Sequence, residues 1–329
     1  MGATFSSKVE FDPAKDLPDL KGKVVLVTGG SSQGIGYATV QHLARKGAKV
    51  YMASRSESLA KEAILRLHRE GLGPGNGEVE YLSLDLGDPR KTKASAEAFL
   101  AKEKRLDILI NNAAQLYAQP TMGPDGIIES MMTNYFGPVV FTNTLLPLLK
   151  QTAQKPDNDV RIVVVASDSA LEFSRKEVNF KTVEDLNETF GTGILHGQSR
   201  YAKSKLANAL WAKELQRKLD AEASPIPVVT VHPGPVMTEG VENYPAIPIA
   251  FLRSLVLFLA RPLFSTASVG AYPSVFAAAS PVVKAQSDKY KGAYLRPPCT
   301  IGPMELAEDE QRAKDLWSIT ERMLKQWDV

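Results

Sequence analysis

The chain predicts an α/β fold: a doubly wound, mostly parallel seven-stranded sheet with helices on both faces, built as a single domain. Two observations carry this expectation. Apolar runs of strand length alternate with longer stretches of helical periodicity along the 329 residues. The first run also leads straight into a glycine-rich turn and a helix, Thr28-Gly29-Gly30-Ser31-Ser32-Gln33-Gly34-Ile35-Gly36. Placed between a strand and a helix, such a turn lets backbone N–H groups and a helix N-terminus approach a phosphate. A plain strand-to-helix turn is the simpler alternative.

Residues 23–28 (KVVLVT) are continuously apolar, as expected of a strand buried on both faces. A helix from about 36 to 46 follows. Residues 48–53 (AKVYMA), 78–84 and 106–111 (LDILIN) read as the second, third and fourth strands. Residues 161–166 (RIVVVA) and 227–232 (PVVTVH) are the fifth and sixth, and 293–295 a short seventh. Helical patterns fill the gaps, among them 199–219 and 309–327. The loop 72–77 (LGPGNG) reads as a tolerated insertion, and the polar, irregular 171–198 as an insertion beside the fifth strand. No repeat or linker divides the chain. The expected organisation is a leader over 1–20 and one domain over 21–329.

Composition excludes several function classes. Basic and acidic residues number 39 and 37, with no basic stripe, so no nucleic-acid partner is expected. The one cysteine, Cys299, allows neither an intramolecular disulfide nor a thiolate zinc cluster, and suits a reducing, cytoplasmic setting. His42, His68, His196 and His232 lie far apart without ligand spacing, so no metal is expected. Met1-Gly2-Ala3-Thr4-Phe5-Ser6 fits the short N-myristoylation pattern, with a disordered leader as the simpler reading. No secretory apolar region opens the chain. The apolar stretch 247–264 is interrupted by Pro248, Arg253, Arg261 and Pro262, which argues against a transmembrane segment.

Tyr201-Ala202-Lys203-Ser204-Lys205 places a phenol and an ammonium at i and i+4 of a predicted helix, with Cβ atoms ~5–6 Å apart. A cation that close favours the phenolate and lets the tyrosine trade protons with an alcohol or carbonyl near neutral pH. Alone, this spacing is common on helix surfaces. Arg55 ends the second strand, where an acidic residue would bond the ribose 2′-OH of NAD. An arginine there suits the 2′-phosphate of NADP instead, unless it is merely solvated at a helix start. Glu57 lies two residues on, past the expected pocket.

With these residues the chain resembles the short-chain dehydrogenase/reductase family, whose fold is of the Rossmann type. That family carries T-G-x-x-x-G-x-G after its first strand. Here four residues separate Gly29 from Gly34, and the spacing is restored if the frame starts at Gly30 with Thr28 displaced by one. Asn111-Asn112-Ala113-Ala114 is close to the family's N-N-A-G, and Thr133-Asn134-Tyr135-Phe136-Gly137 holds its asparagine. Ser167 matches the second serine of V-S-S, with Ser169 as a nearby competitor. Tyr201 to Asn208 resembles the Y-x-x-S-K-L-A-N of retinol-dehydrogenase-like members, which share the long gap after Ser167. Sugar-nucleotide epimerases also use YxxxK, but with a T-G-x-x-G-x-x-G turn that is absent here.

The resemblance implies an NADP(H)-dependent oxidoreductase that interconverts an alcohol and a carbonyl. Tyr201 would be general acid/base, Ser167 would orient and polarise the carbonyl, Lys205 would tune Tyr201 and bond the nicotinamide ribose, and Asn134 would hold a water linking Lys205 to solvent. The cofactor set would comprise Gly30, Ser32, Gln33, Gly34, Ile35 and Gly36 at the phosphates and Arg55 at the 2′-phosphate. Asp85 and Leu86 would flank the adenine, and Asn112, Tyr201, Lys205, Val236 and Thr238 would complete the set. Residues 239–265, rich in Pro, Ile, Leu and Phe, would lie over the crevice as a substrate lid, which suggests a lipophilic or aromatic substrate. A second copy of the chain in a homo-oligomer, or a peripheral membrane contact, are the alternative uses of that segment. The rival reading is a non-catalytic cofactor-binding regulator or scaffold. Retention of Asn134, Ser167, Tyr201 and Lys205 together argues against it.

Overall fold

The computed structural model describes residues 11–31, 33–72, 76–116, 119–155, 158–173, 177–191, 194–237 and 264–329. Each apolar run forms a strand. They are β1 Val24–Thr28, β2 Lys49–Ser54, β3 Val79–Ser83, β4 Ile108–Asn111, β5 Arg161–Val165, β6 Val228–Val231 and β7 Tyr294–Arg296. Among the described residues there is an eighth, β8 Thr300–Ile301, and the order across the sheet is β3-β2-β1-β4-β5-β6-β7-β8. Every pairing is parallel except β7 with β8. The expected count of seven strands therefore becomes eight. The extra strand has two residues, too few to show any periodicity, and it closes the hairpin after Pro297 and Pro298.

Strand side chains alternate between two cores. In β1, Val24 and Leu26 join one cluster, while Val25 and Val27 join the other. The first cluster is covered by helices Pro89–Lys102, Gly137–Ala153, Ile194–Ala221 and Glu310–Trp327. The second is covered by Ile35–Ala44, Glu57–Arg69 and Tyr272–Ala279. Burial on both faces explains why the strands read as unbroken apolar runs. The result is one Rossmann-like α/β domain, with helices on both sides of the sheet.

Two segments pack more closely than their sequence suggests. In the stretch 1–20, the described part packs on the second core: Phe11 meets Phe276 edge-to-face at 5.2 Å, and Leu17 and Leu20 are buried. The stretch 171–198 sends Phe173, Val178, Phe180 and Leu186 into the first core. Its polar surface hides those anchors from a pattern search. Among the described residues, no helix is long and apolar enough to cross a membrane.

Chain reversal between β1 and β4 sets the site. β2 lies on one side of β1 and β4 on the other, so a crevice opens at their carboxyl ends.

Candidate active site

Thr28 and Asn112 stitch the two strand ends together. The Thr28 hydroxyl accepts the N–H groups of Asn112 (3.0 Å) and Ala113 (2.9 Å), and the Asn112 amide donates to the Thr28 carbonyl at 2.8 Å. Gly29 then turns the chain with φ +73°, and a Cβ there would lie 2.8 Å from Ala113 Cα. Only glycine meets both demands. The turn therefore begins at Gly29, directly after Thr28. This differs from the frame that starts at Gly30. Gly30 is buried beneath the turn, where its Cβ would meet Met52 and Val40.

Gly36 permits the closest approach. A Cβ on it would press on the Gly29 carbonyl and come within 2.5 Å of Asn112 Nδ2. The helix Ile35–Ala44 consequently starts flush against the strand ends, with no side chain capping its first N–H groups. Free N–H groups and the positive end of a helix dipole are what a pyrophosphate needs.

A cleft of about 800 Å³ runs from this turn to the end of β6. Of the residues predicted to bind cofactor, Gly34, Ile35, Gly36, Arg55, Leu86, Asn112 and Val236 line it, as do Tyr201 and Lys205. Gly30, Gln33 and Asp85 do not line it. Gln33 is exposed, and Asp85 turns to the Gly87 N–H (3.1 Å) and Lys91 (3.6 Å). Ser32, Thr238 and nearly all of the 239–265 segment lie outside the described residues. Ser265 is held at the cleft rim to the chain that follows β6, its N–H donating to Pro235 O at 2.8 Å and its carbonyl accepting the Met237 N–H at 3.1 Å. Gly29, Ser31, Ser56 and Leu59 line the cleft without having been predicted. Gly29 was visible at the strand end; Leu59 shows only when its helix is docked.

Arg55 is exposed on the cleft wall, immediately before the helix Glu57–Arg69. Ser56 caps that helix by accepting the Leu59 N–H at 3.3 Å. Glu57 instead pairs with Lys61 at 2.8 Å and stays off the wall. No carboxylate lines the cleft among the described residues.

At the other end, Ser167, Tyr201 and Lys205 come together. Tyr201 and Lys205 sit one turn apart on the helix Ile194–Ala221, with Lys205 Nζ 5.6 Å from the phenol ring centroid. Lys205 donates to the Val165 carbonyl at 2.7 Å, which ties this helix to the end of β5. Its side chain is only 2% exposed, and burial brings its pKa down to about 7. Two residues beyond Val165, the Ser167 Oγ accepts the Ser169 N–H at 3.1 Å. With a lone pair so occupied, the Ser167 hydroxyl proton is free to point elsewhere.

Asn134 lies in a π-turn, Met132–Phe136, a local widening that recurs at functional sites. It is fully buried and does not line the cleft. Its amide oxygen accepts the Gln115 N–H (2.6 Å), and its NH₂ donates to Gln115 O and to Ser204 Oγ, both at 3.0 Å. The Asn134 side chain therefore clamps the loop after β4 to the tyrosine helix, which occupies both its N–H groups.

Beside Ser167, Asp168 links three strand ends. Its carboxylate accepts from Tyr294 (2.7 Å) and Arg296 (3.2 Å), and its N–H donates to His232 Nδ1 at 3.4 Å. His232 is thus a packing partner, and burial lowers its pKa.

The family model described as short chain dehydrogenase matches residues 23–179. A short-chain dehydrogenase/reductase of Armillaria gallica is 42% identical, over 95% of this chain and 96% of that protein. Retinol dehydrogenase 14 of Mus musculus is 35% identical, over 93% of this chain and 86% of its own length. Among solved structures, a blue fluorescent protein from a metagenomic library in complex with NADPH is 26% identical. It superposes with a TM-score of 0.58 over 85% of this chain and 97% of that chain.

Proposed function

The chain belongs to the short-chain dehydrogenase/reductase family of oxidoreductases, and we propose that it interconverts an alcohol and a carbonyl on a lipophilic or aromatic small molecule using NADP(H). The observation that carries this reading is the convergence of Ser167, Tyr201 and Lys205 at one end of a cleft whose other end is a glycine cradle. The cradle fits a dinucleotide: the lack of a Cβ at Gly36 seats the helix against the strand ends, and no side chain caps its first N–H groups. Gly34, Ile35 and Gly36 would hold the pyrophosphate. Arg55 and the N-terminus of the helix Glu57–Arg69 would hold a 2′-phosphate, with no carboxylate on the described cleft wall to favour a free ribose. The solved NADPH complex supports this choice by similarity.

The bound dinucleotide supplies or accepts the hydride. The chain's own residues manage the oxygen. Ser167, its Oγ already accepting from Ser169, donates its hydroxyl proton to the substrate oxygen and fixes the carbonyl's direction. Tyr201 gives a proton to that oxygen in reduction and takes one in oxidation. Lys205, close below the phenol, stabilises negative charge on it whenever the proton has left. Asn134 holds the tyrosine helix and the Gln115 loop in register, acting as a positioning residue. We propose the 239–265 segment as the substrate cover, since Ser265 meets Pro235 and Met237 at the rim of the cleft.

The direct test follows NADPH absorbance with a panel of retinoid, steroid, quinone and aromatic carbonyls. NADPH oxidation with at least one compound is expected; flat traces for every compound, with cofactor bound, contradict the reading. Exchange of Arg55 for Asp should shift the ratio of kcat/KM for NADPH over NADH by tenfold or more toward NADH, a shift of at least about 1.4 kcal/mol. An unchanged ratio removes Arg55 from the 2′-phosphate role.

A further inference from the structure

Ser167, Tyr201 and Lys205 serve the reacting oxygen, but other polar side chains on the same wall have no part in that step. Ser169 lies on the short 3-10 turn Asp168–Phe173, and Gln198 lies on the tyrosine helix. Both line the cleft. At i and i+3, Gln198 and Tyr201 share one helix face, so the Gln198 amide is the phenol's neighbour. Ser169 is equally close to the chemistry, because its N–H is bonded to Ser167 Oγ.

The Ser169 hydroxyl is buried and has no hydrogen-bond partner among the described residues. Such a group is costly to leave unpaired and is uncommon without a reason. Because Ser169 lines the cleft, rotation about its Cα–Cβ bond would turn that hydroxyl to a ligand oxygen, which would satisfy it.

Charge narrows what that ligand group can be. The described wall carries two cations and no carboxylate. One cation, Lys205, is committed to the Val165 carbonyl. The other, Arg55, follows β2, which is separated from β5 by β1 and β4. That separation is three strand spacings, on the order of 14 Å. Among the described residues, the recognising groups around Ser169 and Gln198 are therefore neutral: a hydroxyl that donates or accepts, and an amide that does both. Leu116, Val236 and Phe264 supply apolar wall to the same cleft.

Resting on the reading of this cleft as an alcohol/carbonyl oxidoreductase site, we infer that the substrate is a bifunctional molecule. Beside the reacting carbonyl or alcohol it carries a second neutral oxygen, hydroxyl or carbonyl, which Gln198 and Ser169 bind. A hydrocarbon ketone would leave both groups unpaired, and sites built to bond an oxygen discriminate strongly against ligands that lack it.

The test compares 2-decalone with its hydroxylated and dione analogues, which share one carbon frame. Dissociation constants are read from NADPH fluorescence in the full-length enzyme–NADPH complex, alongside kcat and KM. At least one oxygenated analogue should bind about tenfold more tightly than 2-decalone. Gln198→Leu and Ser169→Ala should each bring that ratio toward one, through KM for the oxygenated compound, with NADPH affinity retained as the check on folding. Equal or absent binding across the set, or a ratio preserved in both variants, overturns the inference. Selective binding without turnover of any compound upholds it and instead overturns the oxidoreductase reading on which it rests.

Discussion

Lys205 shows how one residue couples the site to stability. Its ammonium is 2% exposed and bonds one carbonyl, and its pKa of about 7 lies far below the ordinary lysine value near 10.4. Between those two values the unfolded chain binds more protons than the folded one, so this group makes stability rise with pH. Below about pH 7 both states are protonated and the burial penalty is present in full. Substituting Lys205→Met removes the titration. The variant should gain on the wild type by a few kcal/mol at pH 6–7, an advantage that shrinks as pH climbs toward 10. Thermal melts of both proteins across that range give the difference, and a difference that does not change with pH would contradict the account. The YxxxK spacing made this pair legible from the sequence. Its burial was not legible, because Val165 lies 40 residues away.

At the scale of elements, the glycine turn was visible but its frame was not. Spacing alone suggested a start at Gly30, whereas Gly29 makes the turn because Ala113 crowds it from β4. That contact belongs to the folded sheet. Gly36 lets a prediction weigh opposing effects. Alanine is the better helix former by about 1 kcal/mol. A Cβ pressed on the Gly29 carbonyl and on Asn112 has no flexible group to displace, and overpacking of that kind costs about 1–3 kcal/mol. Gly36→Ala should therefore destabilise the protein by denaturant titration and weaken NADPH binding at least tenfold. Unchanged affinity would move the phosphate site elsewhere. The π-turn Met132–Phe136 teaches a similar lesson. Sequence order placed Asn134 in the site and suggested that it holds water. The folded chain commits its amide to Gln115 and Ser204, contacts that span 19 and 70 residues.

Across the whole molecule, alternation of strands and helices gave the parallel sheet, because burial on both faces leaves an unbroken apolar imprint in β1, β4, β5 and β6. The two-residue β8 left none. The C-terminal helix Glu310–Trp327 was also readable, but its role emerges from packing. Trp327 stacks edge-to-face on Phe136 at 5.0 Å, and Thr320 bonds the Tyr135 hydroxyl at 2.7 Å. The end of the chain thus braces the turn that carries Asn134. Trp327→Ala should cost about 3–5 kcal/mol, measured by denaturant titration, and a loss below 1 kcal/mol would show that the brace is dispensable. On the proposed mechanism, these arrangements serve a proton held at one phenol. The most direct measurement is turnover of a carbonyl that the wild type reduces, compared with Tyr201→Phe at equal NADPH occupancy. The account predicts that turnover falls by at least a thousandfold while NADPH binding stays within about threefold; reduction at the wild-type rate in Tyr201→Phe would contradict it.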